Sequence, residues 1–509
     1  MLATSLPGVG CRKPEAPADA DGQTQAGDPQ LRSVREQLAA AEALAREGDP
    51  RGAAAKLDAL DANAEVQATL ADEEKGPELR AEIAMTRARL ALARGHADAS
   101  EHLQAAVDAA IAAEHPELLI DARLALAHEI ARFDPSAERA SRLLAQAEAA
   151  IETSASVPLT KQLERARLRG DTASMLGRDE DAMAVLDAGL ERARGAEETE
   201  GAPALAALAR TRAQALVRRR EPGDLQRAAD DLELAAKTLA DAKLEGADIT
   251  LAQAELALER EQLEPAKTEL DALDAALAAL GPDAPPALTV GAALARARLL
   301  LARGDAPAAK AQAEAALEQC DTRDDPPIFA CLHAHERLAA AAFAMSDHAL
   351  AEQTLRAAII EAKGLYGERG APLGVLYTRH GEALLGLGRL DDAEADFDLG
   401  LSILESSRAD SEALFDTVLG KGKVLLARDE PRGAVLWLER ATSTSSAASP
   451  EVLAELAWAL ARAQLGAGAA KGREDRAPET AKKALERYRD LGPEYADEVA
   501  EIEAWLAAL

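Results

Sequence analysis

Two cysteines and two histidines lie close together in the sequence, and all four are residue types that bind metals. Cys331, His333 and His335 occur in the short stretch ACLHAHERL, and Cys320 precedes it. On a helix, Cys331 and His335 share a face because they are four residues apart, whereas His333 points away. A structural zinc site needs four ligands that converge on the metal. The spacing therefore indicates ordinary helix positions, and we expect no metal.

The same two cysteines are placed for a different kind of bond. Cys320 lies near the end of one predicted helix, and Cys331 lies about one turn into the next. Antiparallel helices joined by the intervening loop would bring both side chains within reach of a disulfide. Such a bond matters only in an oxidising compartment. A disulfide and two separate thiols both remain open from the sequence.

Two stretches that combine glycine and lysine raise the question of a nucleotide site. They are GKGKVLL at 420–426 and GAGAAKG at 466–472. A phosphate-binding loop requires the spacing G-x-x-x-x-G-K-[ST] after a strand, and neither stretch has it. The sequence also shows no recoverable Ser–His–Asp pattern and no pair of catalytic carboxylates. We therefore expect no cofactor and no enzymatic activity.

A third cysteine, Cys11, stands near the beginning of the sequence. It follows LATSLPGVG and precedes a polar segment, an order that loosely resembles a bacterial lipoprotein signal and its linker. Gly8 stands where a leucine is usual, the apolar run is short, and no basic residues precede it. A start codon placed too far downstream would account for the missing part. Lipidation of Cys11 on an exported protein and a cytoplasmic location both remain open, with the cytoplasmic interpretation slightly favoured.

The charge of the chain limits its partners. The formal net charge of −31 argues against nucleic acids and anionic membranes, since both are bound by clustered Lys and Arg. No stretch reaches the roughly 18 apolar residues of a membrane span. Six basic residues are predicted to face a groove, where they could bind an acidic peptide, although salt bridges with neighbouring acids are the favoured interpretation. They are Arg89, Arg167, Arg298, His333, Arg379 and Lys423.

The elements that position these residues are helices. Aromatic residues are only 2% of the chain, whereas the AVILMFWYC fraction is 48% and is mostly alanine, the best helix former. Period-two runs of β-branched residues are nearly absent, so we expect almost no sheet. Residues 1–30 lack any apolar period and are predicted to be a disordered linker.

A triplet of small and apolar residues recurs along the rest of the chain. Ala393, Phe397 and Gly400 have the spacing of one helix face, and similar triplets recur about every 43 residues. Each unit reads as helix, short turn, helix, and about eleven copies fill residues 31–490. A small residue on the first helix precedes many triplets by twelve positions and would let the two helices touch. The residues predicted to pack the repeats are Gly170, Ala182, Gly381, Gly388, Ala393, Phe397, Gly422 and Ala434.

The repeat from Tyr366 to Glu405 resembles the tetratricopeptide repeat family in its longer form of about 42 residues. The likeness rests on the glycine between the helices, the following alanine and an aromatic residue one turn later, here Gly388, Ala393 and Phe397. The resemblance implies an all-α superhelical solenoid whose concave groove binds a protein or peptide. Residues 491–509 fit a capping helix.

The C-terminal end is similar to the tetratricopeptide tails of bacterial Ser/Thr protein kinases, although none of the kinase motifs is present. A non-enzymatic scaffold for protein–protein contact is therefore the favoured interpretation. The alternatives are a regulatory tail of a signalling system and an envelope-anchored lipoprotein.

Overall fold

The computed structural model describes residues 29–46, 50–72, 76–94, 99–133, 138–154, 157–194, 201–242, 246–281, 284–322, 328–368, 370–407, 411–444, 448–468 and 476–509. Within these ranges the regular secondary structure is helical throughout, with 24 α-helices and no strand. Their bounds are α1 Pro29–Arg46, α2 Pro50–Asp61, α3 Ala64–Leu70, α4 Gly76–Arg94, α5 Ala99–Ala112, α6 Pro116–Phe133, α7 Glu138–Thr153, α8 Leu159–Met175, α9 Asp179–Arg194, α10 Ala202–Arg219, α11 Asp224–Asp241, α12 Ala247–Glu259, α13 Leu263–Leu280, α14 Pro286–Ala302, α15 Ala306–Asp321, α16 Ile328–Ala344, α17 His348–Tyr366, α18 Ala371–Gly386, α19 Leu390–Ser407, α20 Ser411–Ala427, α21 Pro431–Thr444, α22 Pro450–Gly466, α23 Ala477–Leu491 and α24 Ala496–Ala508.

Successive helices pack as hairpins, and the hairpins stack on one another. The pairs run from α1/α2 and α4/α5 through α22/α23, and every second helix except α7 also packs on the first helix of the next hairpin. First helices of neighbouring hairpins contact each other more extensively than second helices do. The first helices therefore line the tighter, concave side of an α-solenoid.

The buried face of each second helix carries the recurring triplet. Ala393 and Phe397 are fully buried, and Gly400 is buried beside them. The Phe397 ring lies against Gly381 of α18, where an added methyl carbon would come within 3.1 Å of the ring. Gly422 of α20 meets Leu438 of α21 in the same way. Small residues on first helices thus accept large residues of second helices, which brings the hairpin's two backbones close.

The turns between paired helices use glycine where the backbone requires it. Gly388 has a φ of 73° and Gly177 has a φ of 70°, both in the left-handed region that favours glycine. In the hairpin of α8 and α9, Gly170 and Ala182 are buried, and Ala182 follows the turn at Gly177. Ala434 occupies the corresponding buried position of α21.

Two helices stand outside the regular pairing. The short helix α3 lies between the first two hairpins, buries Val66 and packs against α2 and α4. At the other end, α24 packs on α23, with Ile502 fully buried and the Trp505 ring 5.2 Å from the Trp458 ring in an edge-to-face arrangement. The exposed side of α24 is rich in acids, which suits the polar end of a solenoid.

Hairpins that are distant in sequence also touch. The Arg132 guanidinium, near the end of α6, lies over the Phe329 ring at the start of α16, 3.9 Å from its centroid. Tyr366 of α17 is 6.4 Å from Phe329. The helix α6 belongs to the third hairpin and α16 to the eighth, so the solenoid coils far enough to contact itself.

Candidate functional site

A cleft of about 800 Å³ opens on the concave side of the last four hairpins. Several neighbouring first helices pack closely, such as α8 and α10 or α14 and α16, but α16 and α18 make little contact with each other. Part of α17, including Leu355 and His348, forms the base of the cleft between them. The cleft continues across α18 and α20 to the beginning of α22. Its size falls within the range of typical ligand pockets.

The floor of the cleft is apolar. Ala339, Leu376 and Leu419 are buried there, and Phe343 and Val452 extend the apolar surface. The rim carries charges of both signs on four first helices. The charged lining residues are Glu336, Arg337, Arg379, Glu382, Asp416, Lys423 and Glu455.

The carboxylates on the rim of the cleft lie next to basic side chains. His333 Nδ1 lies 2.8 Å from Glu336 Oε2. Burial opposes ionisation of Glu336, but the hydrogen bond with His333 and the charges of His333, Arg337 and Arg379 together outweigh it, so the pKa of Glu336 is lowered. Arg379 donates to Glu382 at 3.2 Å and lies 3.8 Å from Asp416. Lys423 pairs with Glu455 on α22.

The predicted groove residues outside the cleft differ in their contacts. Arg89 on α4 donates to Glu42 of α1 at 2.6 Å, and Arg298 on α14 donates to Glu259 of α12 at 2.8 Å. Arg167 on α8 makes no hydrogen bond or ion pair within the described part of the chain. Its pKa is lowered by burial and by its neighbour Arg210. The structure thus brings Arg379 and Lys423 to the cleft, whereas His333 lies outside its lining and reaches it only through Glu336. It places Arg89, Arg167 and Arg298 on first helices away from the cleft.

Arg337 lines the cleft and was not among the predicted groove residues. It lies 42 residues before Arg379, at the equivalent position of the preceding repeat. Burial lowers the pKa of Arg337, and the neighbouring Arg298 lowers it further. Applying the repeat period to Arg379 would have found Arg337 in the sequence.

Cys320 and Cys331 form a disulfide that joins the end of α15 to the first turn of α16. Their Cα atoms are 5.9 Å apart, and both side chains are buried with Val290, Ala316 and Ala334. Among the described residues, no group of three or more His, Cys, Asp or Glu side chains could hold a metal ion. Cys11 lies outside the described residues.

A separate polar cluster joins three first helices, α6, α8 and α10. His128 interrupts the predicted column of small residues, and its Nε2 atom lies 3.0 Å from Asp171 of α8. Arg218 of α10 donates to the same carboxylate at 2.5 Å. Burial opposes ionisation of Asp171, but the hydrogen bonds from His128 and Arg218 outweigh it and lower its pKa to about 2.

None of the described helices combines the length and the apolar character that crossing a bilayer requires. Solved structures similar to this chain include the apo form of RapI, at a TM-score of 0.47 and 12% identity, covering 69% of this chain and 98% of RapI. A tetratricopeptide repeat protein from Parabacteroides merdae ATCC 43184 has a TM-score of 0.37 and 18% identity, covering 60% of this chain and 99% of its own. The human IFIT1 dimer structure has a TM-score of 0.46 and 14% identity, and the match covers 86% of this chain and 96% of the IFIT1 chain. No family model matches the chain, and no curated protein is similar to it. The chain's own helix contacts define it as an all-α solenoid of stacked helix–turn–helix repeats.

Proposed function

We propose that this protein is a non-enzymatic scaffold that binds a segment of a partner protein in the cleft between α16 and α18. The observation that carries the proposal is the cleft itself, which has a volume of about 800 Å³, an apolar floor and a rim of alternating charges. The burial of apolar surface supplies affinity, and the charges on the rim select the segment. A groove built on helices is also rigid, which limits the entropic cost of binding.

The electrostatics of the cleft support binding over catalysis. Catalysis by a carboxylate usually needs a group whose proton is poised for transfer. Here Glu336, Glu382 and Glu455 each contact a basic side chain. Charged groups fixed in this way are suited to recognising a partner's polar groups.

A bulky substitution in the cleft tests the proposal. Ala340 lines the cleft on α16 and is partly exposed, so Ala340→Trp would fill the space without breaking a buried contact. Ala315 on the outer helix α15 is exposed and provides the matched control, Ala315→Trp. Peptides selected from a displayed library on the full-length protein should lose binding to Ala340→Trp and retain it with Ala315→Trp. Equal binding to both variants would show that the cleft is not the site.

We also propose that the protein works in an oxidising compartment, because a buried disulfide between Cys320 and Cys331 persists there. This favours the envelope-associated interpretation. Mass spectrometry of Cys11 in membrane extracts tests the lipid anchor. An acylated Cys11 supports it, and an unmodified Cys11 in the soluble fraction contradicts it.

A further inference from the structure

Arg337 differs from the other cations that line the cleft. Arg379 and Lys423 each contact a carboxylate. Arg337 makes no hydrogen bond and no ion pair with any residue of the described ranges, although a guanidinium carries five N–H donors. The side chain is half-buried at the cleft wall. Its donors therefore remain available to an acceptor on a molecule bound in the cleft.

Three carboxylates, those of Glu336, Glu255 and Glu259, attract Arg337 through space. Two of them are paired with other basic residues, and the third, Glu255, accepts no hydrogen bond from Arg337 within the described chain. Glu336 is bound by His333, and Glu259 accepts from Arg298 at 2.8 Å and from Arg220 at 3.2 Å. These acids attract Arg337 through space but leave its donors unused. A guanidinium does not deprotonate to relieve its own burial. The free protein therefore holds a partly desolvated charge that a ligand carboxylate would stabilise.

We propose that Arg337 binds the carboxylate of an aspartate or glutamate side chain within the partner segment. The adjacent floor, where Phe343 and Leu376 lie, takes an apolar side chain of the same segment. The concave surface continues from the cleft onto α14, which packs on α16, so a bound chain extends past Arg337 in both directions. This geometry favours an internal acid over a C-terminal carboxylate. The inference rests on the proposed function and specifies its ligand.

The test uses peptides selected on the full-length protein and measures their affinity by fluorescence anisotropy. Each peptide is compared with its Asp→Asn or Glu→Gln form and with a C-terminally amidated form. The proteins are wild type, Arg337→Gln, Arg337→Lys and the control Arg356→Gln, whose arginine is exposed on α17 and paired with Glu352. Thermal unfolding of each variant is measured in parallel. Because Arg337 donates no hydrogen bond within the described chain, Arg337→Gln should not lower Tm.

The expected result is that Arg337→Gln weakens the acidic peptides about 10- to 100-fold, as for a lost charge-assisted hydrogen bond. The amide forms should bind wild type and Arg337→Gln equally, and Arg337→Lys should restore only part of the affinity because an ammonium lacks the planar fork. Unchanged affinity of Arg337→Gln for the acidic peptides would overturn the inference. The inference would also be overturned if C-terminal amidation of the peptides, and not the Asp→Asn or Glu→Gln change, reduced their affinity.

The two proposals fail in distinguishable ways. If the selected peptides fail to bind Ala340→Trp but do not need an acidic residue, the cleft is still the binding site and only the role of Arg337 is refuted. Peptides that bind Ala340→Trp as tightly as wild type refute both.

Discussion

Gly420 offers the sharpest test of how tightly the hairpins interlock. The Phe397 side chain of α19 is fully buried, with Gly381 of α18 on one side and Gly420 of α20 on the other. An added methyl group at Gly420 would overlap the ring, and one at Gly381 would lie 3.1 Å from it. The ring therefore cannot move away from α20 without approaching α18. We expect Gly420→Ala to destabilise the protein, although alanine is the better helix former.

The magnitude follows from two opposing effects. Replacing glycine by alanine within a helix stabilises it by about 0.5–1 kcal/mol. Overpacking a filled core costs about 1–3 kcal/mol, and the confined Phe397 ring places this site near the upper end. The net expectation for Gly420→Ala is a loss of about 2 kcal/mol. Gly364 near the end of α17 is the matched control, since it is exposed and an added methyl group there meets nothing within 4 Å.

Urea denaturation and hydrogen exchange together measure the effect. A repeat array can unfold in parts, so exchange in α18 and α20 should increase more than exchange elsewhere. Gly364→Ala should be neutral or stabilising, which separates the two variants by about 2–3 kcal/mol. Adding Phe397→Leu to Gly420→Ala should cost less than the sum of the single changes, because the smaller side chain relieves the overlap. A Gly420→Ala protein as stable as Gly364→Ala would refute the close packing.

Three further outcomes are expected. Reducing the bond between Cys320 and Cys331 should destabilise the packing of α15 on α16 by about 3 kcal/mol, which would be measured as faster hydrogen exchange in these two helices. A variant with both cysteines replaced by serine should not respond to the reductant. Arg132→Ala and Phe329→Ala should show a coupling of about 0.5–1 kcal/mol in a double-mutant cycle of urea midpoints, and additive effects would contradict the contact. The pKa of Asp171 is lowered to about 2 in the folded protein, below its unfolded value of about 3.9. Its contribution of about 2 kcal/mol is therefore present above pH ~4 and lost as the pH falls towards 2, and Asp171→Asn should flatten that part of the stability profile.

Much of the fold follows from local patterns in the sequence. The triplet spacing identified the buried faces because helical residues three and four apart must lie together, and all members from Ala53 to Tyr488 are buried. The all-α solenoid is confirmed by the helices and their successive pairing. The short helix α3 was not predicted, since it falls between two repeats and carries no triplet.

The site was less predictable because it depends on how far neighbouring hairpins separate. Periodicity places Arg379 and Lys423 on the inner side, but it does not reveal that α16 and α18 separate while α14 and α16 pack closely. Periodicity also cannot tell a paired cation from an unpaired one. Arg298 and Arg337 have similar surroundings in the sequence, yet only Arg298 finds a carboxylate within hydrogen-bond distance.

The contact between Arg132 and Phe329 has a consequence for how this chain can change in evolution. In an open solenoid, a hairpin can be duplicated or deleted with little effect beyond its neighbours. Here the two residues meet only when the intervening hairpins bring α16 back to α6. If one hairpin were inserted or deleted between α6 and α16, Phe329 would shift by one repeat along the solenoid and would no longer lie under Arg132. The contact therefore fixes the repeat number of the segment it closes, and length changes should be tolerated better outside it than within it.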